Sequence, residues 1–194
     1  MYNLHSHSIL SDGVLLPSEI AVRYLDKGYK AIAITDHVDY SNIEIVVNAI
    51  VKFCRYWPKD FPIRVLPGVE LTHLPLEQFK PLAKYAREKG IKIIIGHGES
   101  VVEPVIKGTN RACLEADIDI LAHPGLIRDE EVRLAKKKGV FLEITSRPGH
   151  STTNPHVAER ALKFGAKLIL NHDSHQPRDI ISPLDLIKIG KNSG

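Results

Sequence analysis

The sequence predicts an α/β fold built on a parallel sheet, and three observations carry that prediction. Seven short, apolar, β-branched runs alternate with seven helical patterns. The runs are apolar throughout, as strands covered on both faces are. Each run exits into a residue able to titrate or to bind a metal. The seven units average about 28 residues, the size of a βα module. A closed (β/α) barrel and an open doubly wound sheet both fit this pattern.

Taken in order, the expected strands are "YNLHS" (2–6), "AIAIT" (31–35), "RVLPGVE" (64–70), "IKIIIG" (91–96), "DIDILA" (117–122), "VFLEIT" (140–145) and "KLILN" (167–171). The helical stretches between and after them are 17–27, 43–57, 76–89, 103–116, 129–138, 155–164 and 179–189. Gly28, Gly90, Gly139 and Gly165 each follow a helix and precede a strand, the place of a helix C-cap. In "TTNP", Asn154 reads as an N-cap and Pro155 as the first helical residue. No linker, low-complexity stretch or second domain interrupts the series, so residues 1–194 read as one domain.

Composition narrows the function classes. Hydrophobic residues make up 43% and charged residues 25%, ordinary for a globular chain. The net charge of +3 is spread along the chain, which does not argue for nucleic acid as a partner. Cys54 and Cys113 both fall in helical segments without a partner at metal-ligand spacing, and read as buried thiols in a reducing compartment. There is no signal-peptide pattern and no apolar run of membrane-spanning length. A cytoplasmic protein without membrane contact is expected.

The chemistry lies at the strand exits. His5 and His7 can face one ion together, because residues i and i+2 of a strand share a side; the bland alternative is two solvent-facing imidazoles before a SerAspGly turn. Asp12 follows. The later exits supply Asp36 and His37, Glu70, His97 and Glu99, His123, then Glu143, Arg147 and His150, and finally His172, Asp173 and His175. In either architecture all these exits share one face, where active sites sit. Any single histidine could be a hydrogen-bonded core residue, but seven exits choosing the same kind of residue could not. Nine candidate ligands emerge: His5, His7, Asp12, His37, Glu70, His97, His123, Asp173 and His175. Nine exceed the need of one ion, and imidazole with carboxylate but no thiolate fits two or three Zn, Mn or Fe ions.

Other residues of that face take supporting expectations. Arg147 suits a phosphate with its fork, or else pairs structurally with Glu143 or Glu99. His150 is expected to contact phosphate or protonate a leaving group, and Lys107 to reach the site or to be solvated surface. Asp36 and His172 are expected to orient neighbouring imidazoles. His73 and His156 read as incidental.

In this order, "HSHSILSDG", "AITDH", "PGVE", "GHGE", "DILAHPG" and "NHDSH" resemble the motifs of the PHP (polymerase and histidinol phosphatase) family, over Tyr2 to about Gln176. The resemblance implies a distorted (β/α)7 TIM-like barrel and metal-dependent phosphoester hydrolysis with up to three ions. It implies one ion on His5, His7 and Asp173, with Glu70 bridging to a second on His97 and His123. Asp12, His37 and His175 would hold a third; some members carry His where this chain has Asp12. A hydroxide bridging the Glu70-linked pair would attack phosphorus in line, which places Glu70, Arg147 and His150 in the catalytic machinery.

The leading expectation is therefore a phosphatase of the histidinol phosphatase kind, acting on a small phosphorylated metabolite. A nuclease acting on nucleic-acid ends is the alternative, but no aromatic-plus-basic strip for single strands is visible. Amide hydrolysis on a similar barrel is disfavoured by the bridging Glu70. A non-catalytic subunit like those of ribonuclease P is disfavoured because such proteins lack most of the ligands, all nine of which are present here.

Overall fold

Parallel pairing follows from the spacing of the apolar runs, because each strand is separated from the next by a helix that must cross back over the sheet. The computed structural model describes residues 1–194. Its strands are β1 (Tyr2–Asn3), β2 (Ala31–Ile34), β3 (His37–Val38), β4 (Arg64–Leu71), β5 (Ile93–His97), β6 (Ile120–Ala122), β7 (Phe141–Thr145) and β8 (Lys167–Asn171). They run all-parallel in the order β1-β2-β4-β5-β6-β7-β8, with β3 also on β4. The ring is nearly closed. Between β8 and β1 the backbone of Asp173 donates to His5 (3.1 Å) and that of His7 to Ser174 (2.8 Å). The distorted (β/α)7 barrel is therefore the architecture present, and the open sheet is not.

The outer ring holds α1 (Pro17–Asp26), α2 (Ile43–Tyr56), α3 (Phe79–Glu88), α4 (Thr109–Glu115), α5 (Asp129–Lys138), α6 (Asn154–Phe164) and α7 (Pro183–Ser193). No helix is long and apolar enough to cross a membrane. Gly28, Gly90, Gly139 and Gly165 all take positive φ at the helix ends, as expected of C-caps.

Several boundaries depart from expectation. The second strand breaks at Thr35, whose backbone N–H donates to Ser6 (2.8 Å) of the first unit instead of continuing the ladder. The helix expected over 103–116 begins only at Thr109; Pro104 lacks a donor and Gly108 sits at φ 99°. The last helix starts at Pro183, capped by Ser182, which accepts the Asp185 N–H (3.2 Å). Asn154 is not the N-cap of α6. It lies inside the helix, donates to the Thr145 carbonyl (2.8 Å) and accepts the Thr145 N–H (3.2 Å), tying α6 to β7.

Two apolar clusters fill the molecule. A cluster of 38 buried residues lies mainly between sheet and helices, and a small one of Ile95, Ile120 and Ala122, with Leu4, Ile93, Phe141 and Ile169 against it, fills the barrel. Alternation explains the position of the site. On β5, Ile93, Ile95 and His97 share the inner face; on β7, Phe141 and Glu143 do; on β8, Ile169 and Asn171 do. Along these three strands the inner face thus changes from apolar to polar towards the C-terminal mouth.

Candidate metal centre

The mouth gathers the strand-exit residues into one buried cluster. His5 Nε2 lies 3.2 Å from Glu70 Oε2 and 3.5 Å from Asp173 Oδ1; His7 Nε2 lies 3.5 and 3.2 Å from the same two atoms. Glu70 Oε1 is 3.6 Å from His123 Nε2. Asp12 reaches His175 Nε2 (3.1 Å), His37 Nε2 (3.7 Å) and His7 Nδ1 (3.8 Å). Groups whose donor atoms all lie within 4.8 Å of one another include His5/His7/Glu70, His5/His123/Asp173, Glu70/His97/His123 and His7/Asp12/His37/His175. All nine sequence-predicted candidates fall into these overlapping groups, and Glu70 belongs to two of them.

A carboxylate and imidazoles buried this deeply need partners, and most of these atoms lack one. His5 Nε2, both nitrogens of His7, both oxygens of Glu70 and His123 Nδ1 are buried without a well-aligned hydrogen bond, although His37 Nδ1 stands 2.9 Å from Glu70 Oε2. Each such atom costs about 1–3 kcal/mol. The chain accepts further strain here: His123 (φ 27°) and Asp173 (φ 53°) hold left-handed backbone that non-glycine residues avoid. Donor type, convergence and absent partners fit a divalent cation centre.

The electrostatics follow from burial and crowding. Burial disfavours charge on His7 and His123, and neighbouring imidazoles add to it; both pKa values fall well below the ordinary range, leaving the neutral form that ligates metals. Burial pushes the Glu70 carboxyl up, but His5 and His37 overcome it and hold the carboxyl well below the usual range. His5 is opposite in sign: burial works against its charge, yet Glu143, Glu70 and Asp173 raise its pKa well above normal.

Around the cluster, several expectations are corrected. Glu143 is the residue that orients an imidazole: its Oε1 meets His5 Nδ1 (2.8 Å) and accepts from Asn171 Nδ2 (2.9 Å), while Oε2 accepts the His123 N–H (3.2 Å). Asp36 orients no imidazole. It accepts from the Ser8 N–H (2.7 Å) and from the Ser8 and Ser11 hydroxyls (2.8 Å each), shaping the loop that carries Asp12. His172 is buried between Tyr24 and Tyr29, 3.0 and 2.8 Å from their hydroxyls, and burial brings its pKa down to about 4. Its role is packing.

Arg147 pairs with neither Glu143 nor Glu99. It donates to the Asp173 carbonyl (3.1 Å), and Nη1 lies 2.6 Å from His175 Nδ1. Glu99 instead accepts the Gly108 and Asn110 N–H groups, fixing the start of α4. Lys107 is exposed, without hydrogen bond or ion pair, and does not line the cavity, which matches the solvated-surface alternative. His150 is buried, stacks on His123 (4.3 Å between centroids) and has Nδ1 on Ser100 Oγ (2.7 Å); Nε2 faces Glu103 (3.4 Å). It is placed to position Glu103 rather than to touch a substrate.

Glu103 was not anticipated, and His73, expected to be incidental, lines the same cavity. Glu103 Oε2 lies 2.9 Å from His97 Nε2, and both residues line the cavity above the cluster. Each follows a strand-end carboxylate within four residues, in "ELTH" and "ESVVE", so the positional signal that found the other ligands extends to them. His156, by contrast, bonds the Ile127 carbonyl away from the mouth (2.9 Å).

A family model for the PHP domain matches residues 2–112. An uncharacterized protein of Methanocaldococcus jannaschii is 43% identical over 198 residues, spanning all of this chain and 89% of that protein. DNA polymerase/3'-5' exonuclease PolX of Bacillus subtilis is 27% identical over 210 residues, covering 97% of this chain but 36% of that enzyme. Among solved structures, a Listeria monocytogenes protein assigned as the histidinol phosphatase hisK superposes with a TM-score of 0.67 at 12% identity, over 95% of this chain and 99% of that one. An enamidase of the amidohydrolase superfamily gives 0.59 at 15% identity, over 88% and 56%. These likenesses to solved structures show the fold.

Proposed function

The chain belongs to the PHP domain family, and from that premise we propose that it is a metal-dependent phosphoesterase acting on a small phosphorylated metabolite. The observation that carries the reading is the set of buried, unpartnered atoms of His5, His7, Glu70 and His123, all within one cluster at the barrel mouth. In this reading residues 1–194 form one catalytic domain. His5, His7 and Asp173 would hold one ion, His97 and His123 a second with Glu70 shared between the two, and Asp12, His37 and His175 a third.

When bound, such ions supply a water of lowered pKa and positive charge for the phosphoryl oxygens. The chain supplies the rest. Glu143 fixes His5 with Nε2 towards Glu70. Thr72 Oγ1 sits 2.6 Å from His37 Nδ1 and fixes that ring. Arg147 is anchored on Asp173 and His175 through Nη1, which leaves Nη2 for a phosphate oxygen.

The substrate preference rests on charge. The open cavity of about 400 Å³ beside the cluster is lined by Asp12, Asp39 and Glu103 among hydroxyls and imidazoles, with no Lys or Arg. A nucleic-acid strand would bring its phosphates against these carboxylates without the cations that such strands require. A single phosphate at the ions with a neutral or cationic remainder in the cavity suits it better.

The test is a metal analysis of the purified protein with assays of an aryl phosphate monoester, the corresponding diester and a single-stranded oligonucleotide, with Glu70→Gln as control. Bound Zn, Mn or Fe and monoester hydrolysis lost in the control are expected. Faster oligonucleotide cleavage would replace the metabolite reading with a nuclease, and a protein inert with every added metal would overturn both.

A further inference from the structure

The nine ligands do not exhaust the metal-binding chemistry of the mouth. His73, His97 and Glu103 form a further group, sharing His97 with the inner cluster, with one donor atom of each within 4.8 Å of the others. The carboxylate oxygen lies 2.9 Å from His97 Nε2 and 3.7 Å from His73 Nε2. Two ligands of one tetrahedral ion with bonds near 2.1 Å stand about 3.4 Å apart, so these spacings bracket what a single ion needs. Two histidines and one glutamate are also a known protein set for an open zinc site.

The group is built rather than accidental. The Ser100 hydroxyl lies 2.7 Å from His150 Nδ1, and His150 Nε2 stands 3.4 Å from Glu103 Oε1. The other oxygen, Oε2, is thereby turned towards the two imidazoles. His97 Nδ1 faces the Gly98 carbonyl (3.2 Å), which keeps Nε2 as its ligating atom. His73 is held at φ 52°, a backbone that histidine seldom adopts.

Position distinguishes this group from the inner ones. The side chains of His73 and Glu103 are 46% and 34% exposed, whereas those of His5, His7 and Glu70 are 0% and His123 is 2%. The cavity is lined by His73, His97 and Glu103 but not by the four inner residues. An ion bound for the inner cluster must shed its water, and this cavity offers it ligands on the exposed side of that cluster. His97 belongs to both groups and offers one ligating atom, so it cannot hold an inner and an outer ion at once.

We propose that His73, His97 and Glu103 form an outer divalent-cation site at which ions are partly dehydrated and then passed, through His97, to the Glu70/His97/His123 group. The inference rests on the metal-centre reading given above. Its test measures metal uptake without any substrate. Chelator-stripped protein is mixed with Zn²⁺ or Mn²⁺, uptake is followed by stopped-flow competition with a chromogenic chelator, and final content is measured by elemental analysis. Glu103→Gln and His73→Asn are compared with the wild type; asparagine tolerates the left-handed backbone at 73.

The expected result is an unchanged final content reached about tenfold more slowly in either variant. Unchanged uptake rates would overturn the outer site. A lower final content would overturn it too, by making Glu103 a ligand of the inner cluster itself. A wild-type protein that binds no metal would instead refute the metal-centre reading on which the inference stands.

Discussion

The two ends of the barrel treat the same physical rules in opposite ways. At the base, where the strands begin, polar groups find partners. Arg87 alone donates to the Lys92 and Asp117 carbonyls and to the Asp117 and Asp119 carboxylates, and Asp119 also accepts the Ile94 N–H (2.7 Å). Positive φ there falls to glycines such as Gly28, Gly90 and Gly139, where an added Cβ would meet nothing within 4 Å. At the mouth, buried atoms of His5, His7, Glu70 and His123 face one another without hydrogen bonds, and His73, His123 and Asp173 take the left-handed backbone instead. The base is arranged for stability, whereas the mouth carries costs that a bound cation would offset.

The largest expected effect breaks that contrast at its centre. Glu70→Gln keeps the shape of the side chain and removes the charge shared by two ligand groups. We expect kcat/KM for an aryl phosphate to fall by about 10³-fold or more, with loss of bound metal and an unchanged far-UV circular dichroism spectrum. Full metal content in this variant would mean that the mouth does not depend on its central carboxylate.

Metal removal should show the offset directly as stability. An ion present at about a thousand times its Kd stabilises the native state by about 4 kcal/mol. For a chain of this length that is on the order of 10 °C in Tm. Stripping the metals should therefore lower Tm by roughly that amount, and Glu70→Gln should respond much less. A Tm indifferent to chelators would leave the unpartnered atoms without a purpose.

A smaller effect tests the support behind the ligands. Glu143 touches His5, His123 and Asn171 but belongs to none of the ligand groups. Glu143→Gln should weaken metal affinity by about 10- to 100-fold, the usual consequence of losing a carboxylate behind a ligating histidine. Competition against a chelator of known affinity measures this. An affinity unchanged within twofold would reduce Glu143 to core packing.

The contrast also explains what the sequence made legible. The strands were readable from β-branched runs because burial on both faces demands them, and the candidate ligands because imidazoles and carboxylates recur at strand exits on one face. The break at Thr35 was not readable, since it depends on Ser6, 29 residues away in sequence. The start of α4 was set by Glu99 reaching over to Gly108 and Asn110, which no local pattern records. His172 carries the same residue type as its ligating neighbours, yet two tyrosines from the first unit enclose it. Local periodicity shows which face a residue occupies; partners distant in the chain decide what it does there.

The smallest effect should come from the base, and its value lies in what stays constant. Asp119→Ala removes the acceptor of the Ile94 N–H and one partner of Arg87, both at the start of β5. The pair is partly exposed and water can replace it, so the loss should be about 1 kcal/mol, or roughly 2–4 °C in Tm. Metal content and kcat/KM should remain within about twofold of the wild type, although β5 also carries His97 at its other end. Ile95 and its packed neighbours lie between the two ends and hold the strand in place. A substantial loss of metal in this variant would show that strain at the base travels along β5 to His97, and the barrel would then have to be treated as one coupled unit rather than as a stable base bearing a costly mouth.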